Sequence, residues 1–329
     1  MKILTTFILM LALSAASAAI CPGNHVPDDS DPWSSILSYT ADENANQIFF
    51  YAVDGTLIEW NTQTDKRTII KDCLHSVRAL AFSSRQQLLV VGDSGGGLEL
   101  ITIGAIPRTI FSEQFDDGID EVTFSPSDQE ILISQRRSLR LWNLPARKEI
   151  WRRETDNDVT RAVFSPDNSQ IAVSLGSKIL MLSVKTGEKR NLFEMTEIRP
   201  LVSDLAFSKS GDKLVAAVNN DLIIFNPATG KREKTYSATN ADLIAVTLIR
   251  GGEQGVTVSE NKTIQKWDLL KGSILFSWNL PMGLVARNGN YLVNTTEHPG
   301  QIEVWQLSPQ KRLHMLQYHS PKDSATPSP

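Results

Sequence analysis

The stretch Glu121–Leu144, EVTFSPSDQEILISQRRSLRLWNL, decides the fold. An apolar strand ends in Phe-Ser and gives way to a polar turn. A second apolar strand, a short turn and a third strand ending on Trp142 follow. Two other stretches align on it directly: RAVFSPDNSQIAVSLGSKILMLSV (Arg161–Val184) and DLAFSKSGDKLVAAVNNDLIIFNP (Asp204–Pro227). Weaker copies are RALAFSSRQQLLVVGDSGGGLELIT from Arg78 and AVTLIRGGEQGVTVSENKTIQKWDL from Ala245. QIFFYAVDGTLIEWN from Gln47 and YLVNTTEHPGQIEVWQL from Tyr291 complete the set.

The large residue near the end of the third strand serves as a ruler: Trp60, Ile101, Trp142, Leu182, Phe225, Trp267, Trp305. Successive separations are 41, 41, 40, 43, 42 and 38 residues. Seven units of this length match four-stranded propeller blades better than any helical repeat. No sustained 3.6-residue apolar pattern appears, whereas runs such as QEILIS and QIAVS have the character of strands. The expected fold is all-β, a seven-bladed β-propeller of four-stranded antiparallel blades. One blade cannot bury both its faces, but stacked radially each blade covers its neighbour. The ruler residues then pack between blades, each contributing roughly 2–3 kcal/mol by burial.

Phe-Ser-Pro-Asp/Ser, an apolar strand, then Trp-Asp or Trp-Asn resembles the WD-repeat β-propeller family. The resemblance covers residues 35 to 317. Its best single match is TIQKWDLLKG with Trp267-Asp268; Trp60-Asn61, Trp142-Asn143 and Trp305-Gln306 are variants. The Gly-His pair common before the first strand in that family is missing, with His75 its nearest counterpart, so the family's His–Ser/Thr–Asp–Trp network is incomplete. Secreted propellers that resemble lactonases or quinoprotein enzymes are near neighbours of the pattern. Ring closure has two solutions. In many WD-repeat proteins an N-terminal strand completes the last blade, but here KRLHMLQY after Trp305 can itself supply the outer strand.

The N-terminus reads as an address. Met1-Lys2 precedes an apolar run that ends in small residues at Ala16-Ser17-Ala18-Ala19, the pattern of a cleaved signal peptide over residues 1–19. An N-terminal extension (20–34), the propeller (35–318) and a polar, proline-bearing, disordered tail (319–329) follow. No later segment reaches 18 consecutive apolar residues, so no membrane span is expected after cleavage, and the mature protein is expected to be secreted or periplasmic. Outside the cytoplasm the two cysteines, Cys21 and Cys73, are expected to form a disulfide. It would close a loop of about 50 residues, contributing roughly 4 kcal/mol in the chain-entropy model.

The 329 residues are 41% hydrophobic and 21% charged, a globular composition. A net charge of −4 gives no bulk positive field toward nucleic acid or anionic lipid. Two cysteines exclude a thiolate-rich metal site. The five histidines, His25, His75, His298, His314 and His319, show no ligand spacing, and no calcium loop or phosphate-cradling motif appears, so no metal or cofactor is expected. Gly92-Asp93-Ser94-Gly95-Gly96 resembles the nucleophile segment of chymotrypsin-like proteases. That chemistry needs a histidine base far upstream, whereas this segment falls at a hairpin turn between the second and third strands of blade two. No catalytic residue is therefore assigned. Asn261-Lys262-Thr263 and Asn294-Thr295-Thr296 are glycosylation sequons that matter only in a eukaryotic source.

The loops entering the first strands are acidic. Asp116, Asp117, Asp120, Asp156, Asp158, Glu197 and Asp242 form the candidate partner-binding set, with Glu194 and Asp204 close by. Like charges on one face steer a basic partner. Against this stand the turn-forming role of Asp in solvated loops and partial neutralisation by Arg161, Arg199 and Arg250. The expected function is an exported, non-enzymatic protein-interaction module, a platform for an envelope or extracellular protein on one propeller face. The alternative is a lactonase-like hydrolase with a metal in the central channel. A closed propeller needs no partner to fold, so a monomer is expected.

Overall fold

Each aligned unit folds as one antiparallel sheet in the computed structural model, which describes residues 36–197, 199–238, 240–279, 283–285, 291–295, 300–307 and 310–317. Blade one comprises β1 (Ile36–Ala41), β2 (Gln47–Ala52), β3 (Leu57–Asn61) and β4 (Lys66–Lys71). Blade two comprises β5 (Val77–Ser83), β6 (Leu88–Asp93), β7 (Gly97–Thr102) and β8 (Arg108–Gln114). Blade three holds β9 (Glu121–Phe124), β10 (Glu130–Gln135), β11 (Ser138–Asn143) and β12 (Lys148–Glu154). Blade four holds β13 (Arg161–Phe164), β14 (Gln170–Leu175), β15 (Lys178–Ser183) and β16 (Lys189–Glu194). Blade five runs β17 (Val202–Phe207), β18 (Leu214–Val218), β19 (Asp221–Phe225), β20 (Arg232–Ser237). Blade six runs β21 (Leu243–Ile249), β22 (Gln254–Ser259), β23 (Thr263–Asp268), β24 (Ser273–Asn279). Blade seven runs β25 (Gly283–Val285), β26 (Tyr291–Thr295), β27 (Gln301–Leu307), β28 (Gln310–Gln317).

First strands of successive blades touch one another, β1 with β5 and onward to β25, so they line the centre of the ring. The fourth strands are mostly exposed and form its outer wall. Between these lie seven apolar cores, one at each junction of neighbouring blades. The second strands show why. In β10, Ile131 and Ile133 pack toward blade two while Leu132 packs toward blade four. Alternate side chains serve opposite neighbours, so such a strand is apolar at nearly every position. The ruler residues are buried from Trp60 to Trp267, and Trp305 packs half-buried against the core between blades six and seven.

The Phe-Ser signature has a local cause. Ser165 Oγ accepts from the Gln170 amide (2.9 Å) and donates to Asp167 (2.6 Å); Ser125 accepts from the Glu130 amide and donates to its carboxylate, and Ser208 accepts from the Lys213 amide and donates to Asp212. Each closes the turn between first and second strands. The Ser165 hydroxyl holds the Asp167 carboxyl below its ordinary pKa, and the Ser210 and Ser208 hydroxyls do so for Asp212. The turn passes through a left-handed residue at Asp128, Asn168 or Gly211, residue types that tolerate it.

A second recurring device joins neighbours. Trp151, Phe193 and Tyr236 on the outer strands of blades three, four and five lie against Gly187, Gly230 and Gly272, in the last turn of the following blade. A Cβ on Gly187 would sit 2.7 Å from the Trp151 ring, and one on Gly230 2.6 Å from Phe193. Trp151 Nε1 also donates to Val184 O (2.7 Å) and Tyr236 Oη to Leu269 O (2.8 Å).

The ring closes without strand exchange among the described residues. All four strands of blade seven come from the C-terminal segment, and KRLHMLQ lies within β28. The seam with blade one is apolar, pairing Ile48, Phe50 and Trp60 with Val293, Ile302 and Leu316. Trp60 stands edge-on to His314.

Candidate interaction face

Antiparallel blades put two kinds of segment at one end of the ring: the loops entering first strands and the hairpins between second and third strands. Asp116, Asp117, Asp120, Asp156, Asp158, Glu197 and Asp242 all lie in the entering loops. The geometry separates them into two groups. Asp120 pairs with Arg78 (2.8 Å) at the start of β5. Asp158 is held between Arg136 (3.1 Å) and Arg137 (2.8 Å), both on the β10–β11 hairpin, and hydrogen bonds from Arg137 and then Arg136 hold its carboxyl below the usual range. Glu197 pairs with Arg232 of the next blade; burial pushes its carboxyl up, but Arg232 pulls it net downward. Asp116, Asp117, Asp156 and Asp242 make no ion pair among the described residues, and only Asp116, Asp117, Asp156 and Asp242 of the set leave their carboxylates open to solvent in this way.

Nearby Glu194 pairs with Lys178 (3.0 Å). Of the expected neutralising arginines, Arg199 is exposed on this face, while Arg250 begins the turn after β21 at the opposite end. Arg161 works deeper. It begins β13 and bridges Glu121 of β9 and Asp204 of β17 (3.0 Å to the latter). Asp204 also accepts amides from Leu205 (2.9 Å) and Val246 (2.7 Å), so one carboxylate contacts blades four, five and six. Burial pushes the Asp204 carboxyl up, against the pull of Arg161 and the two amides. Asp204 is thus part of the inner ring and not of the solvated loops. Glu121, Arg161 and Asp204 occupy equivalent positions of three successive repeats. Reading the aligned repeats down a column would have shown the alternation of sign.

The glycine-rich segment is a hairpin turn. Asp93 Oδ1 accepts the amides of Gly95 (2.7 Å) and Gly97 (2.9 Å), and Ser94 donates its amide to Ser76 O (3.0 Å). A Cβ on Gly92 would press on Ile119 at 2.6 Å, and one on Gly96, with φ +92, on the Phe115 carbonyl. The glycines let this hairpin nest against the loop entering blade three. Among the described residues, no three His, Cys, Asp or Glu side chains cluster as metal ligands. His75 is exposed, while His25, His298 and His319 lie outside the described residues. So does Cys21; Cys73 sits half-buried, with φ 56, in the bend after β4.

No family model matches the chain. The serine-threonine kinase receptor-associated protein of Gallus gallus is 21% identical over 248 residues, covering 74% of this chain and 69% of the relative. The Bos taurus protein of the same name is 20% identical over 249 residues, with the same coverage. The chain is a seven-bladed β-propeller. With the Phe-Ser and Trp-Asp signatures in register, these distant similarities support a WD-repeat β-propeller family. In blade six of this propeller one step of the family's network survives, since Trp267 Nε1 donates to Thr257 Oγ1 (3.0 Å) between the third and second strands. In blade one Trp60 Nε1 instead reaches Asp65 (2.9 Å), in the turn that follows its own strand.

Proposed function

We propose that this WD-repeat propeller is an exported, non-enzymatic protein-interaction module that takes a basic partner on the face bearing the entering loops. The observation that carries the reading is the set of exposed carboxylates Asp116, Asp117, Asp156 and Asp242, which make no ion pair among the described residues. They sit on the loops entering blades three, four and six, so a partner spanning that arc meets negative charge at several points. The relatives are named for association with a receptor, and association with a protein partner agrees with a platform. Export rests on residues 1–19, and a Cys21–Cys73 bond would tie the extension to the bend after β4.

The test is a crosslinking pull-down of the tagged mature protein from envelope and extracellular fractions, beside the quadruple variant Asp116→Lys, Asp117→Lys, Asp156→Lys, Asp242→Lys. Among the described residues these four support no ion pair, so the variant is expected to keep its fold, which circular dichroism checks. Loss of a stoichiometric partner supports the reading, and undiminished capture overturns it.

A further inference from the structure

The near-balanced total charge conceals a segregation at the other end of the blades. Every blade carries a cation where its last turn delivers the chain to the outer strand. Lys66, Arg108, Lys148, Lys189, Lys231 and Lys311 do so on blades one to five and seven, all exposed and none in an ion pair among the described residues. Lys271 is the counterpart in blade six, 4.0 Å from Asp268. The acids of the same turns are mostly engaged. Asp65 accepts from Trp60, Glu149 pairs with Arg140, and Asp268 caps its own turn through the Leu270 and Lys271 amides. Glu188 and Glu233 beside the last turns, and Glu43 and Glu253 on the turns between first and second strands at this same end, are exposed and make no ion pair among the described residues, so the cations outnumber but do not replace the acids here.

A second observation concerns apolar groups. The two most exposed large apolar side chains among the described residues are Ile106 (68%) and Leu270 (58%). Both stand on these same last turns, in blades two and six, next to Arg108 and Lys271. Most other exposed apolar residues lie along the outer wall, on strands.

We propose that this rim of the ring docks on an anionic phospholipid bilayer. The last turns lie at one end of the ring, so a flat surface can meet the belt from several blades at once. A nucleic-acid strand would follow only an arc of it, and would gain little from exposed Ile and Leu. Cations beside a negative leaflet gain from its surface potential, and apolar tips gain by entering the headgroup boundary. This surface is opposite the acidic face, so a membrane-docked ring presents Asp116, Asp117, Asp156 and Asp242 away from the bilayer. The proposal stands independently of that partner.

The experiment is vesicle cosedimentation of the mature chain at about 50 mM salt, where surface charge is weakly screened. Vesicles of phosphatidylcholine alone are compared with vesicles containing about 30% phosphatidylglycerol. Binding to the anionic vesicles alone, weakening as salt rises, is expected. Each cation near the surface accounts for roughly fivefold in affinity. The triple variant Lys148→Glu, Lys189→Glu, Lys231→Glu should therefore bind at least about 100-fold more weakly. Ile106→Ser with Leu270→Ser should weaken binding while leaving its salt dependence unchanged. Circular dichroism checks that the variants fold. Absence of wild-type binding to anionic vesicles overturns the proposal. So does a triple variant that binds like wild type, or retention on heparin or duplex DNA without vesicle binding. The quadruple Asp→Lys variant should cosediment as wild type, which keeps failure of the rim distinct from failure of the acidic face.

Discussion

Replacing Gly187 by alanine tests whether the aromatic-on-glycine contact between blades three and four is a steric requirement. Gly187 has φ +69, and an added Cβ would lie 2.7, 2.9 and 3.1 Å from three atoms of the Trp151 ring. The left-handed backbone costs a residue with a Cβ about 1–2 kcal/mol. Forcing a methyl group into a filled contact costs about 1–3 kcal/mol more. Gly187→Ala should therefore destabilise by about 2–5 kcal/mol. Gly176 provides the internal comparison, since its φ is +60 but no atom lies within 4 Å of its added Cβ. Gly176→Ala should show the backbone cost alone, about 1–2 kcal/mol. Urea unfolding followed by tryptophan fluorescence gives both values. In a Trp151→Ala background the Gly187→Ala cost should fall to that of Gly176→Ala, a coupling of about 1–3 kcal/mol in the double-mutant cycle. Equal costs for the two glycines in the wild-type background, or no coupling to Trp151, would refute the reasoning.

Acid should expose the turn serines. A carboxyl held below its ordinary pKa lends stability that is present above the unfolded value of 3.8 and lost as pH falls through the folded one. The melting-temperature gap between wild type and Ser165→Ala should thus be widest above about pH 4 and narrow progressively as pH falls below it; a gap that stays constant as the pH is lowered contradicts this. In the glycine-rich hairpin, Ser94→Ala should leave the melting temperature unchanged. Gly96→Ala should lower stability by about 2–4 kcal/mol, and the reverse ranking would mean that the segment does something other than turn.

The fold was legible because propeller blades repeat their burial pattern. Trp60, Ile101, Trp142, Leu182, Phe225 and Trp267 are spaced by the blade and are all buried between neighbours. The Phe-Ser step was visible for a similar reason, since Ser165 and its equivalents bond within their own turn. The candidate site was less legible because ion pairs form across repeats. Asp120 and Asp158 read as solvated acids, yet their partners Arg78, Arg136 and Arg137 enter from another strand or hairpin, 21 to 42 residues away. The Arg161 bridge was obscured in the same way: the sequence shows Asp204 as one more loop acid, whereas the ring closes Glu121, Arg161 and Asp204 around its centre. The cations at the last turns recur with the blade period, but a sum over the whole chain cancels them against its acids.

Because each blade is a contiguous stretch of chain, six junctions of the ring are spanned by a covalent link. The seventh, between blades seven and one, is held by Trp60, Phe50, Val293, Leu316 and their neighbours. Joining residues 36 and 317 through a short peptide and cutting the chain between any other two blades would yield a permuted protein with the same seven interfaces. Such a ring carries no privileged starting point. Under a pulling force applied at its ends it would part first at that seam, like a clasp, while the remaining blades stay stacked.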